Sequence, residues 1–294
     1  MRDTRKEVDR MKNTMKKPVA IPVEKLRPFA GHPFKVKDDA EMNTLIESIQ
    51  TQGVLSPLIV RPIENTDEYE VVSGHRRLHA AQKAGITEVP ALIYALDRDA
   101  AAIAVVDSNL HREHILPSEK AFAYKMKYEA MKHQGTSCQL GTKLRTDEQI
   151  AEKANDSARQ IQRYIRLTHL IPELLEFMDE NRMALSVGVE LSFLAEQSQR
   201  EVLEQCAIND CTPSYSQAWR MHKADREGTL TTAVIQAVMS EEKANQRETV
   251  KVPISRLRGV LPQGLDAKKT EDFIIKACDH YRKYLIRQRN RDER

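Results

Sequence analysis

Residues 69–85 read YEVVSGHRRLHAAQKAG, and this stretch decides the fold. Tyr69 to Ser73 is a short β-prone run that passes without a spacer into Gly74-His75-Arg76-Arg77 and a short helix closed by Gly85. A glycine followed by two arginines at a strand-to-helix junction has a definite physical use. The glycine lets backbone come close, the first-turn N–H groups are unpaired, and guanidinium forks match phosphate oxygens. Gly74, Arg76 and Arg77 are thus candidates to hold a phosphorylated ligand. A plain turn glycine with its arginines paired to surface acids accounts for the same string.

Outward from this junction the pattern stays mixed. Strands are expected at Val19 to Val23, Leu58 to Arg61 and Val89 to Ala95, with a helix whose Met42, Leu45, Ile46 and Ile49 form one apolar face before Gly53. An alanine-rich helix from about Asp99 to Arg112 follows, placing Ser108, His111 and Arg112 on neighbouring turns and offering the Asn109 amide to a metal or a ribose. A solvated helix end explains that cluster equally well. Residues 18–115 form one α+β unit, preceded by a basic, flexible arm at 1–17.

Beyond Pro117, with Ser118 as N-cap, the expected elements are all helices, which sets a domain boundary near 115. Within residues 116–210, Thr146 to Ala154, Asn155-Asp156-Ser157 and Ala158 to His169 read as helix, tight turn, helix, with a left-handed Asn155 and a capping Ser157. On the second helix Ile161, Tyr164, Ile165 and Thr168 share one face, and Arg159, Gln162, Arg163 and Arg166 the other. Arginine reads guanine edges or phosphates and glutamine reads adenine, so Ser157, Arg159, Gln160, Gln162, Arg163 and Arg166 are the candidate DNA-binding set. A helix and the charged linker SEEKANQRE occupy 211–250. The final region, 251–294, carries an amphipathic segment from Lys268 to Arg287 that either packs on preceding helices or forms a homodimer.

Composition limits the alternatives. The chain has 294 residues, enough for two or three domains, and its aromatic share of 5% suits a helix-rich protein better than a β-sandwich. No run approaches the ~20 apolar residues that cross a bilayer, and the N-terminus lacks a signal-peptide core, so a cytoplasmic protein with no membrane partner is expected. The four cysteines form no zinc-type spacing and are read as reduced thiols. The net charge of +3 is too mild to announce nucleic-acid binding by itself; the arginine stripe carries that argument.

Four stretches in fixed order, IPVEKLRPFAGHPF, SIQTQGVLSPLIVRP, YEVVSGHRRLHAAQKAG and DSNLHREHILPSEKAFAYKMK, resemble the N-terminal domain of ParB/RepB-type partition proteins, the ParB/sulfiredoxin fold; with the helices that follow, the resemblance covers about residues 19–210. It implies a ParB/sulfiredoxin-like α+β domain, an all-α helix-turn-helix domain and a small, mostly helical C-terminal region. It further implies a dimeric centromere-binding protein that partners a ParA-type ATPase and uses CTP and magnesium as a clamp switch. Carried over residue by residue, Gly74, His75, Arg76 and Arg77 fall at the phosphates, and Asn109 and Arg112 at metal and phosphate. This chain departs from the family where His32-Pro33-Phe34 replaces Gln-Pro-Arg, His75 replaces the Glu of Gly-Glu-Arg-Arg, and Ser108 replaces the Glu of Glu-Asn. Losing a carboxylate weakens a magnesium site; Asp107 is the candidate substitute. CTP turnover is therefore expected to be weak or absent. Other readings on the same scaffold are a transcription regulator without the switch, or a phosphotransferase or nuclease. Sulfiredoxin chemistry is excluded, because Ser73-Gly74-His75-Arg76 holds no cysteine.

Overall fold

The computed structural model describes residues 17–112, 114–134, 145–152, 154–241, 261–262 and 267–292. Residues 1–16 of the expected arm, most of the charged linker and Cys138 lie outside them. Residues up to Glu241 form one compact unit, and the C-terminal residues a second.

Five strands build the sheet: β1 (Val19–Pro22), β2 (Leu26–Pro28), β3 (Leu58–Pro62), β4 (Tyr69–Ser73) and β5 (Glu88–Ile93), in the order β1-β5-β3-β4-β2. β3 and β4 form an antiparallel hairpin with Val60 opposite Val71, whereas β3 runs parallel to β5 and β2 parallel to β4. β2 was not expected; it is three residues long and ends in a proline, so it shows no alternation to read. Side chains alternate across the pleat. Val71 therefore enters a core with α1 (Ala40–Gln52) and α2 (His75–Lys83), through Met42, Ile49, Leu78 and Ala81. Its neighbour Val72 enters the opposite core with Phe29 and, from α3 (Arg98–Asp107), Ala101, Ala102 and Val105.

α3 stops at Asp107, five residues short of the expected end. The side chains of Ser108 and Asn109 both donate to the Val105 carbonyl, at 3.0 and 2.7 Å, and this local bonding competes with further helical turns. Ser108, His111 and Arg112 consequently sit in an irregular turn, not on successive helical turns.

α4 (Pro117–His133) serves both halves of the unit. Ala130 joins the Val72 core, while Tyr124 packs with Ile150 and Ile161 of the following helices. Ser118 is not its N-cap. Pro117 occupies the first helical position, the Leu116 N–H donates to Glu119, and the Ser118 N–H and hydroxyl donate to Asp179 at 3.0 and 2.6 Å.

The helical part continues with α5 (Thr146–Ala151), α6 (Ala158–Leu167), α7 (Pro172–Asp179), α8 (Leu185–Leu191), α9 (Glu196–Ile208), α10 (Tyr215–Arg226) and α11 (Thr232–Met239). α5 ends earlier than expected and Asn155 is not left-handed, since positive φ falls at Asn65, Asn181 and Asp210 among the non-glycine residues described. The connection spans 152–157 and therefore does not need a left-handed hinge. α11, absent from the expectation because of its β-branched residues, is capped by Thr231 and buries Ile235, Val238 and Met239. Its burial in a shared core overrides its weak intrinsic propensity.

Helix ends in this region are tied by one buried amide. Gln199 accepts from the Ile171 N–H at 2.9 Å and donates to the His169 and Leu194 carbonyls, each at 3.0 Å. All of its hydrogen-bonding groups but one lone pair are thereby used, which is what allows glutamine in a core. In the second unit α12 (Ala267–Asp292) is a single helix that exposes Phe273, Ile275, Tyr281, Tyr284, Leu285 and Ile286.

Candidate nucleotide cavity and DNA-facing helix

β4 delivers the chain to Gly74, whose φ of 106° is the left-handed region that a side chain resists. A Cβ there would lie 3.1 Å from Leu58 Cγ and 3.2 Å from Arg77 Nη2, so close approach requires glycine as well. α2 starts immediately after, and the N–H groups of its first turn have no carbonyl one turn earlier to receive them. They open on a cavity of about 350 Å³ lined by Leu45, Ser73, Gly74, His75, Arg76, Arg77, Ser108, Asn109 and Arg112. Two strings separated by the whole of β5 and α3 thus share one wall. Leu45 and Ser73 are lining residues that sequence reasoning missed; Ser73 stood beside the motif, but Leu45 carried no signal beyond its helix face.

The arginines are not idle. Arg76 Nη2 lies 3.6 Å from Asp39 and 3.3 Å from Glu41, and Arg77 Nη1 donates to the Ser56 and Pro57 carbonyls at 2.5 and 2.8 Å. Arg112 packs over Phe34 with its guanidinium carbon 5.6 Å from the ring centroid. An anion entering the cavity competes for Arg76 and finds Arg77 and Arg112 held in place.

His75 is not a charged phosphate ligand. Its ring is buried, accepts from the Phe29 N–H at 3.3 Å, and lies tilted against His32 with centroids 3.7 Å apart. Burial, with His32 and Arg112 nearby, pushes its pKa down to about 3, so it is neutral. What His75 can give a ligand is its backbone N–H. His32 donates from Nδ1 to the Phe34 carbonyl at 2.8 Å, and its buried Nε2 has no partner among the described residues.

The donor set does not fit a resident magnesium ion. The cavity is lined by hydroxyls and one amide but no carboxylate, and Asn109 commits its Nδ2 to Val105 and Ser108, leaving only Oδ1. Asp107, the expected substitute, is paired with the buried ammonium of Lys127 at 2.5 Å. Among the described residues no group of three His, Cys, Asp or Glu could hold a metal. A hard divalent ion wants oxygen ligands with negative charge. Cations and N–H groups suit phosphates instead.

The second site is α6. Ser157 is its N-cap and accepts from the Gln160 N–H at 3.3 Å. Asp156, just before it, is held by α4: the Tyr124 hydroxyl donates to it at 2.5 Å, and Lys120 pairs with it at 2.6 Å. Ile161 and Leu167 face inward, Arg159 is exposed, and Gln160, Gln162 and Arg163 are half-buried, with Arg163 donating to Gln160 at 3.2 Å. Arg166 differs from its neighbours on the stripe. It donates to the Ser192 carbonyl at 2.8 Å and stacks on Phe193, so it is anchored and not free.

The chain thus joins a sheet domain with an arginine-walled cavity at a strand-to-helix turn to a helical part in which α6 carries an arginine and glutamine stripe. Residues 5–110 match the ParB N-terminal domain family. The chain is 32% identical over 192 residues to the chromosome-partitioning protein Spo0J of Thermus thermophilus, an alignment covering 64% of this chain and 65% of that protein. It is 26% identical over 266 residues to a probable chromosome-partitioning protein ParB of Neisseria meningitidis, covering 90% of this chain and 82% of that one. The chain is thus similar to ParB proteins, and the family match lies in its N-terminal part. A truncated Caulobacter crescentus ParB, solved in complex with the centromeric parS site, superposes with a TM-score of 0.42 at 23% identity, covering 75% of this chain and 98% of that one. Among the described residues no helix is long and apolar enough to cross a membrane.

Proposed function

We propose that this chain is a site-specific DNA-binding partition protein of a chromosome, plasmid or mobile element, in which the sheet domain binds a nucleoside triphosphate, CTP by family, and the helix-turn-helix part binds double-stranded DNA. The observation that carries the reading is the meeting of Gly74, Arg76 and Arg77 with Asn109 and Arg112 around one cavity, in the same compact unit as the α6 stripe. Two arginines at a helix N-terminus, with Arg112 from the turn after α3, supply charge and directed N–H groups for a polyphosphate. Residues 18–115 and 116–210 are then divided by function, with α4 shared in packing. Homodimerisation through 251–294, a ParA-type ATPase partner and a DNA-associated cytoplasmic location complete the reading on family grounds.

The chain's own residues bind and orient the anion, and no role falls to a metal held by the protein. Calorimetry of CTP with the full chain tests this, alone and with a duplex enriched by the chain from a randomised library. Saturable CTP binding that changes when duplex is present is the expected result. Heat equal to buffer dilution in both titrations would leave a DNA-binding regulator without a switch.

A further inference from the structure

Phe193 is 42% exposed, yet it is the centre of a three-layer stack. On one side the Arg166 guanidinium carbon lies 4.1 Å from its ring centroid. On the other the His222 ring stacks parallel to it, centroids 4.3 Å apart and planes at 2°. Glu190 Oε2 meets His222 Nδ1 at 2.7 Å, which fixes the orientation of that ring. The stack joins α6, the end of α8 and α10, so three elements meet at one outward-facing arginine.

The guanidinium is also gripped along one edge. Nε reaches the Ser192 hydroxyl at 3.3 Å and Nη2 the Ser192 carbonyl at 2.8 Å, while Nη1 has no partner among the described residues. Arg159, Arg163 and Arg166 fall at i, i+4 and i+7 along α6, so the open edge belongs to the same stripe as the more mobile pair. A free arginine loses much side-chain entropy when it forms a bidentate contact, and a planar fork stacked on an aromatic face has lost it beforehand.

We propose that Phe193 and His222 are positioning residues for DNA recognition: they hold Arg166 by stacking, with Ser192 gripping one guanidinium edge, so that the other is presented to the duplex. The proposal rests on the DNA-binding reading above. Its consequence is that base discrimination depends on α10, a helix outside the helix-turn-helix.

The test uses the full chain, the duplex it enriches from a randomised library, and a scrambled duplex of equal composition. Phe193→Ala should lower the ratio of enriched to scrambled affinity roughly tenfold, the size of one good base contact, with scrambled affinity nearly unchanged. Phe193→Tyr and His222→Phe, which keep the stacked faces, should restore the ratio; His222→Ala should fall between. Melting temperatures are measured alongside, because a purely structural brace would lower them and weaken both duplexes alike. That pattern overturns the proposal, as does an unchanged ratio in Phe193→Ala or in Arg166→Ala. If Arg163→Ala abolishes discrimination while Arg166→Ala does not, DNA reading stands and positioning fails. If wild type enriches no duplex, both fail.

Discussion

The imidazoles of His32 and His75 meet with their centroids 3.7 Å apart and planes tilted at 36°, so the two places where this chain departs from the Gln and Glu of the ParB motifs it resembles are one physical unit. A glutamate at position 75 would sit buried beside His32 and the Phe29 N–H. A neutral imidazole fits there because it accepts that N–H without bringing charge into the core.

Acid should therefore destabilise the protein. His75 has a folded pKa of about 3 against an ordinary value of 6.5. Below pH 6.5 the unfolded chain takes up a proton that the folded chain refuses, so stability is full above that value and falls as pH drops toward 3, by about 1.4 kcal/mol per pH unit. His32, lowered mainly by burial, acts in the same direction. Urea unfolding at pH 7 and pH 5 should differ by about 2 kcal/mol from His75 alone, and the difference should shrink in His75→Gln. Equal slopes in the two proteins would show that the ring is solvated.

Arg112→Ala should weaken CTP binding at least about tenfold, the loss expected for one charge-assisted pair, while duplex affinity stays within twofold. Arg76→Ala should lose less, since Asp39 and Glu41 already occupy that guanidinium. Arg77→Ala is the poorer probe: it also releases the Ser56 and Pro57 carbonyls, so its melting temperature should drop too. Calorimetry beside thermal melting separates the three.

CTP turnover should stay near background even with enriched duplex. The cavity has no carboxylate to hold a metal or activate water, and Asp107 is bound to Lys127. Phosphate release measured in wild type and in Lys127→Met decides the point. Fast release in wild type would mean that an acid outside the described cavity reaches the phosphates.

Arg159→Ala and Arg163→Ala should each cost about 1–3 kcal/mol of specific duplex binding and leave folding untouched. Arg166→Ala should cost stability as well, because the Ser192 carbonyl at the end of α8 loses its donor. Anisotropy titration against thermal melting distinguishes them.

Gly188→Ala should destabilise by about 1–3 kcal/mol through overpacking. A Cβ there would stand 2.4 Å from Met178 Sδ and 3.2 Å from Leu167 Cδ2, and both side chains are buried in the helical core. Calorimetric unfolding of the variant checks it; an unchanged midpoint would mean that Met178 swings away freely.

Much of this architecture was legible because the chain writes it locally. β4 running into Gly74, and the Ile161 face of α6, are short-range patterns with one structural solution each. What sequence reasoning misplaced is non-local or side-chain driven. The end of α3 depends on Ser108 and Asn109 bonding to Val105, and the fate of Asp107 on a lysine from α4. Arg166 looked like its neighbours on the stripe, and only the fold brings Phe193 and His222 to it.

α4 gives Ala130 to the sheet core and Tyr124 to the core it shares with α5 and α6. A gene fusion made at its start would graft a foreign helix under Phe29 and Val72 and strip the native one of its sheet. Related proteins should therefore exchange their helical halves in evolution only when the crossover falls beyond this helix, or when both of its faces travel together.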